Sequence, residues 1–136
     1  MTCFDFENLD VYRVSMDFVL LANEFSRNFP RGTSHLSDQL DRAATSVLFN
    51  IAEGAGEFAE IEKIRFYRMA RRSATECASI LQLSNKLKLV DDGNYSKARE
   101  LLIRIVSMLS KMSRKPNSVT HTGAVTFTDN QLHTSL

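Results

Sequence analysis

Tryptophan is absent from the 136 residues, proline occurs twice and glycine five times. So few turn-formers beside an apolar fraction of 43% argue against many short strands, each needing its own turn. They favour a few long elements on short connections. Two cysteines, Cys3 and Cys77, are too few for a disulfide framework, and no Cys-x-x-Cys spacing occurs. The longest unbroken apolar run, Phe18 to Ala22, falls far short of the roughly 20 residues a membrane-spanning helix needs. The opening residues, Met1-Thr2-Cys3-Phe4-Asp5-Phe6-Glu7, lack the basic start and apolar stretch of a secretion signal, so a cytoplasmic location is expected. Charge of one sign is not in excess either. With 17 Lys and Arg against 16 Asp and Glu, the net charge of +1 excludes a globally basic nucleic-acid coat and an acidic tail protein. What remains is a reduced, soluble, all-helical chain of single-domain size, long enough to bury about two-thirds of its unfolded surface.

The near-neutral total hides an uneven distribution. Residues 1–41 carry a net −4, residues 42–90 a net +3, and residues 91–136 a net +2. A chain with one acidic and one basic part is suited to binding itself as well as a polyanion.

Hydrophobic periodicity divides the chain into four helices over about residues 8–28, 35–53, 59–89 and 95–113. On the first, Leu9, Tyr12, Met16, Val19 and Ala22 recur at three- and four-residue steps, continued by Phe25 and Phe29, while Val11, Phe18 and Leu20 fall off that stripe. Apolar residues on a second face imply packing against two neighbours or another subunit. Phe29-Pro30-Arg31-Gly32 ends this helix. The second starts at a Thr33 or Ser34 cap and carries Leu36, Leu40, Ala43, Ala44, Val47, Leu48 and Ile51. Gly54 and Gly56 are expected to stop it as left-handed C-cap residues. The third carries Ile64, Tyr67, Ala70 or Arg71, Ala74, Cys77 or Ala78, Leu81 and Asn85. Asp91-Asp92-Gly93-Asn94 reads as a turn, with Asn94 or Ser96 capping the fourth helix. There Ala98, Leu101, Leu102, Ile105, Leu109 and Met112 share a face. Short connections make an antiparallel up-down-up-down four-helix bundle over residues 1–112 the natural packing. Residues 113–136, rich in Ser, Thr and Asn and broken by Pro116, read as an irregular tail, flexible or docked on a partner. Val125-Thr126-Phe127-Thr128 within it alternates weakly, as a short strand would.

The residues also carry a resemblance. Phe6, Leu9, Val11, Tyr12 and Phe29-Pro30, the segment Gln39-Leu40-Asp41-Arg42-Ala43-Ala44-Thr45-Ser46-Val47, the block Asn50-Ile51-Ala52-Glu53-Gly54-Ala55-Gly56, and Phe66, Ala70-Arg71, Ser73 and Glu76 resemble the 23S ribosomal RNA intervening-sequence proteins. A branch of that family is similar to accessory proteins of diversity-generating retroelements. The resemblance covers about residues 6 to 112, and Arg72 stands where the family usually has glycine. It implies an antiparallel four-helix bundle whose relatives assemble into closed homo-oligomeric rings, often pentamers. It also implies an association with RNA or a ribonucleoprotein partner, while the short apolar runs imply no membrane partner.

Read from the residues alone, Gln39, Arg42, Ser46, Asn50 and Glu53 follow one another at three- and four-residue steps and form a polar ribbon beside the apolar stripe. A hairpin turning near Gly56 brings Arg42 towards Arg71, Arg72 and Glu76. Arg42 is therefore expected to pair with Glu76, and Asn50 or Glu53 to bond groups near the hairpin turn. Such a network either fixes helix register or forms a ligand or RNA site.

On the third helix Lys63, Arg65, Arg68, Arg71 and Arg72 crowd one half, and Arg65, Arg68 and Arg72 share a face beside Phe66 and Tyr67. That spacing suits an RNA- or anion-contacting stripe with stacking aromatics. It equally suits a solvated face, or one that answers Asp5, Glu7, Asp10 and Asp17 of a neighbouring subunit.

Catalysis is not expected. His35, His121 and His133 are expected in a loop and the tail, no Glu-x-x-His pair exists for a di-iron core, and no phosphate-cradling glycine loop, His-Glu-x-x-His or Gly-x-Ser-x-Gly occurs. Glu53, Glu57 and Glu60 read as turn and first-turn acids, Cys77 as a small core residue and Cys3 as a terminal thiol. No metal or cofactor is expected. A non-enzymatic RNA-associated oligomer and a structural or protein-interaction module with no nucleic-acid role are the two readings left.

Overall fold

The computed structural model describes residues 3–114. A 3-10 turn, Asp5–Asn8, leads into four α-helices: α1 (Asp10–Arg27), α2 (Ser34–Ala55), α3 (Glu60–Lys86) and α4 (Asp92–Met112). Each helix packs on its sequence neighbours and α4 closes on α1, with no close backbone approach across either diagonal among the described residues. This is the square arrangement of an antiparallel four-helix bundle. Residues 115–136, all but the first two residues of the expected tail and including its Val125–Thr128 segment, lie outside the described residues.

The core is one continuous cluster built from all four helices. Leu40, Val47 and Ile51 of α2 meet Tyr67, Ala70, Ala74, Cys77 and Leu81 of α3, with Leu102, Ile105 and Leu109 of α4 behind them. In α1 the stripe differs from the expected one. Val11, Val14, Ser15, Phe18, Ala22 and Phe25 are buried, whereas Tyr12, Met16 and Val19 are half-buried. Val11 and Phe18, read as off the stripe, enter the core beside Ala22 and Phe25 of the expected one, and Leu20 stays exposed. Ser15 is fully buried and its hydroxyl has no hydrogen-bond partner among the described residues.

Three helix ends depart from the expected chemistry. α2 runs through Gly54, a helical residue, and ends at Gly56 with φ −86°, so neither glycine is a left-handed cap. α3 stops at Lys86, short of Leu89, because Lys88 adopts φ 63°. The Lys88 N–H donates to the Asn85 carbonyl at 3.0 Å and the Leu89 N–H to the Ser84 carbonyl at 2.8 Å. This pair of bonds is a Schellman motif, here closed by lysine where glycine is usual. α4 starts at Asp92, earlier than expected, because Asp91 supplies the cap: its carboxylate accepts from the Asn94 N–H at 2.8 Å and the Asn94 side-chain amide at 3.0 Å. At α2, Thr33 stands at the cap position, but its hydroxyl donates to the Pro30 carbonyl at 2.6 Å and leaves the helix end without a side-chain cap.

Register between helices is marked by polar contacts. The Ser26 hydroxyl of α1 donates to the Ser37 carbonyl of α2 at 3.3 Å. The Ser46 and Ser73 hydroxyls bridge α2 and α3 at 2.9 Å. Between α3 and α4, Ala74 and Ala78 face Leu102 and Val106.

Candidate functional site

The polar ribbon of α2 lies along the α2–α3 seam. Asn50 donates to the Ser46 carbonyl at 2.9 Å and to its hydroxyl at 3.1 Å, and that hydroxyl bonds Ser73. This Asn50–Ser46–Ser73 chain fixes register, and it sits one to two turns before the hairpin. The expectation that Asn50 or Glu53 bonds the hairpin turn is therefore corrected. The expected Arg42–Glu76 pair does not form either. Ser46 opposite Ser73 puts Arg42 level with Glu76, yet both side chains are exposed and neither makes an ion pair with another described residue. In water such a pair gains about 1 kcal/mol at most against the entropy of ordering two long side chains, so being level does not bring them together. Gln39 is exposed on the first half of the same ribbon.

Gly54 works through its missing side chain. A Cβ there would lie 2.7 and 2.9 Å from the Tyr67 ring carbons Cε1 and Cδ1 and 3.1 Å from the Phe66 Cβ. One edge of the Tyr67 ring thus lies close against the α2 backbone, and its burial, followed by the Glu60 charge, pushes its phenol above the usual range. The close helix approach that the Ala-rich and Gly-containing signature demands occurs here, while Arg72 stays exposed.

The five basic residues of the α3 stripe are divided by the structure. Arg65 donates to Glu62 at 2.8 Å and its guanidinium carbon lies 4.8 Å from the Phe66 ring centre, so its charge is answered locally. Lys63 reaches the Ala55 carbonyl at 3.4 Å near the end of α2. Arg72 is exposed and unpaired among the described residues. Arg68 turns towards α4, where its Nη2 donates to the Ser113 carbonyl at 3.4 Å. Arg71 is half-buried beside it. Burial, and then the Arg68 charge, pull the Arg71 guanidinium below its ordinary range, and no carboxylate among the described residues pairs with either.

Of the other candidates, Cys77 is fully buried and its thiol is pushed up to about 12 by burial first and by Glu76 second, which removes the thiolate a nucleophile needs. Cys3 is exposed and its sulfur accepts from the Asn8 amide at 3.3 Å. Glu53 and Glu60 are exposed and Glu57 is half-buried. His35 sits in the first turn of α2, not in a loop, and is exposed; His121 and His133 lie outside the described residues. Among the described residues no group of His, Cys, Asp or Glu is placed to hold a metal, and no helix is long and apolar enough to cross a membrane.

Two features escaped the sequence reading. A cleft of about 570 Å³ lies between α1 and α4, with Val14, Ile103 and Met108 beside Asp17 and Arg104. On the opposite side, Phe49 of α2 is 61% exposed, and Phe58 and Ile61 at the hairpin are 101% and 78% exposed. Phe49 falls off the α2 stripe, which was the available signal.

The family model described as 23S rRNA-intervening sequence protein matches residues 7–111, which spans all four helices. The chain belongs to that family. A solved structure from Bacteroides thetaiotaomicron, described as a protein with unknown function from the S23 ribosomal protein family, is 19% identical and superposes with a TM-score of 0.72. The match covers 77% of this chain and 99% of that one, so that protein is the same bundle almost end to end. No curated protein is similar enough to this chain to match. Within the Asn50-to-Gly54 block, Asn50 joins the seam network and Gly54 admits Tyr67.

Proposed function

We propose that the chain is a non-catalytic bundle that assembles with copies of itself in the cytoplasm and contacts RNA phosphates through Arg68 and Arg71. The observation that carries the RNA reading is the like-charged pair itself. Arg71 is half-buried next to Arg68 with no carboxylate answering either among the described residues. Repulsion and lost hydration are both relieved when an anion arrives, and a phosphate matches a guanidinium fork. The ribosomal RNA in the family description accords with that partner. The non-catalytic reading is supported by Cys77, whose buried thiol is pushed up to about 12, and by Glu53 and Glu60, which are exposed.

A second reading, a structural or protein-interaction module with no nucleic-acid role, is favoured by the Arg68–Ser113 bond. A cation at the carbonyl end of α4 is a helix cap needing no further ligand. The two readings are separated by binding to a structured RNA hairpin at several salt concentrations. The RNA reading expects salt-dependent binding that weakens in Arg68→Gln and Arg71→Gln and persists in Arg65→Gln, whose parent side chain is already paired. Equal binding by all three variants contradicts it.

A further inference from the structure

We propose that the outer face of the α2–α3 hairpin of one copy docks, head to tail, on the α1–α4 cleft of the next, so that the signature residues Arg42 and Glu76 find their partners between subunits. The inference rests on the assembly reading above and supplies its faces. In the square bundle the α2–α3 edge lies opposite the α1–α4 edge, so the contact joins two different faces and repeats from copy to copy, and copies turned successively about an axis parallel to the helices close into a ring.

A ring closes only when the repeat has no shift along that axis, so groups that meet must sit at the same height on the bundle. The register contacts give those heights. Ser26 at Ser37 sets Phe49 level with Val14, one of the residues lining the cleft. Ala74 and Ala78 against Val106 and Leu102 set Glu76 level with Arg104. Arg42, by the same α1–α2 register, lies between the heights of Asp17 and Glu24.

Lateral order agrees as well. Stacking two such squares edge to edge places α2 against α1 of the next copy and α3 against its α4. Phe49 then enters the Val14–Met108 side of the cleft. Glu76 meets Arg104, and Arg42 meets the acids of α1. Arg42, Glu76, Asp17 and Arg104 are free of ion pairs with other described residues, and each is left facing the opposite charge. Leu20, 62% exposed on α1, is covered near Arg42. Arg68 and Arg71, which turn towards α4, lie off both contact faces and stay open to RNA.

The test is a charge reversal read by light scattering at micromolar concentration, with circular dichroism confirming helix content. The wild-type chain is expected at a whole multiple of the protomer mass. Glu76→Arg alone and Arg104→Glu alone are each expected to reduce it to the protomer, and the double variant to restore the wild-type mass. A wild-type protomer would overturn the assembly reading altogether. An assembly unmoved by either reversal would leave assembly standing and overturn these faces. Single variants that dissociate with no recovery in the double would overturn the Glu76–Arg104 pairing.

Discussion

Replacing Gly54 by alanine sets two known effects against each other at one atom. In a helix interior alanine is favoured over glycine by about 1 kcal/mol. The added Cβ, however, would sit 2.7 Å from Tyr67 Cε1 and 3.1 Å from Phe66 Cβ. The Tyr67 ring is buried, and the Phe66 Cβ is tied to the α3 backbone, so relief requires α2 and α3 to part by several tenths of an ångström. Overpacking of that kind costs roughly 1–3 kcal/mol, which leaves a net loss of about 1 kcal/mol. For a bundle of this size that loss lowers Tm by about 4 °C. Thermal melts at fixed protein concentration measure it, because assembly makes Tm concentration-dependent. Gly56→Ala is the control: its Cβ would meet the Ala52 and Glu53 carbonyl oxygens at 3.7 Å, ordinary contact, and no loss is expected. A rise in Tm for Gly54→Ala, of the size helix propensity alone provides, would refute the close approach.

Two further outcomes follow from the helix ends and the core. Asp91→Ala removes the acceptor for the Asn94 N–H and is expected to cost about 1 kcal/mol in urea unfolding, with Asp91→Asn recovering most of it. Cys77, whose thiol rises from 9.0 to about 12 on burial, titrates later in the folded chain than in the unfolded one. Its contribution is therefore fully present below pH 9 and is lost as pH climbs towards 12, so Cys77→Ala is expected to flatten part of the alkaline fall in stability. In the native state at pH 8 a thiol reagent is expected to modify Cys3 and spare Cys77, and to reach both in denaturant; prompt native labelling of Cys77 would contradict its burial.

The α3 and α4 faces were legible in the sequence because each carries a single apolar stripe, from Ile64 to Leu81 and from Ala98 to Leu109. α1 was not, since Val11 and Phe18 on one face compete with Tyr12, Met16 and Val19 on another, and spacing cannot say which face meets the core. Glycine misled twice in opposite ways. Gly54 marks a packing contact instead of a helix stop, and the left-handed stop of α3 falls on Lys88 with no glycine to announce it. At the candidate site, helical spacing placed Arg42 level with Glu76, but height on a bundle does not decide contact between two solvated side chains. Spacing likewise grouped Arg65, Arg68 and Arg72. What divides them is tertiary: Glu62 and Phe66 hold Arg65, and the end of α4 draws Arg68.

The most direct test of the functional account is the salt dependence of RNA binding by the full chain and by its Arg68→Gln/Arg71→Gln double variant. Each phosphate contact contributes about 0.7–0.9 to the slope of log K against log salt, so losing two per protomer is expected to lower that slope by about 1.5. A double variant that binds with the wild-type slope, on a helix content unchanged by circular dichroism, would contradict the account.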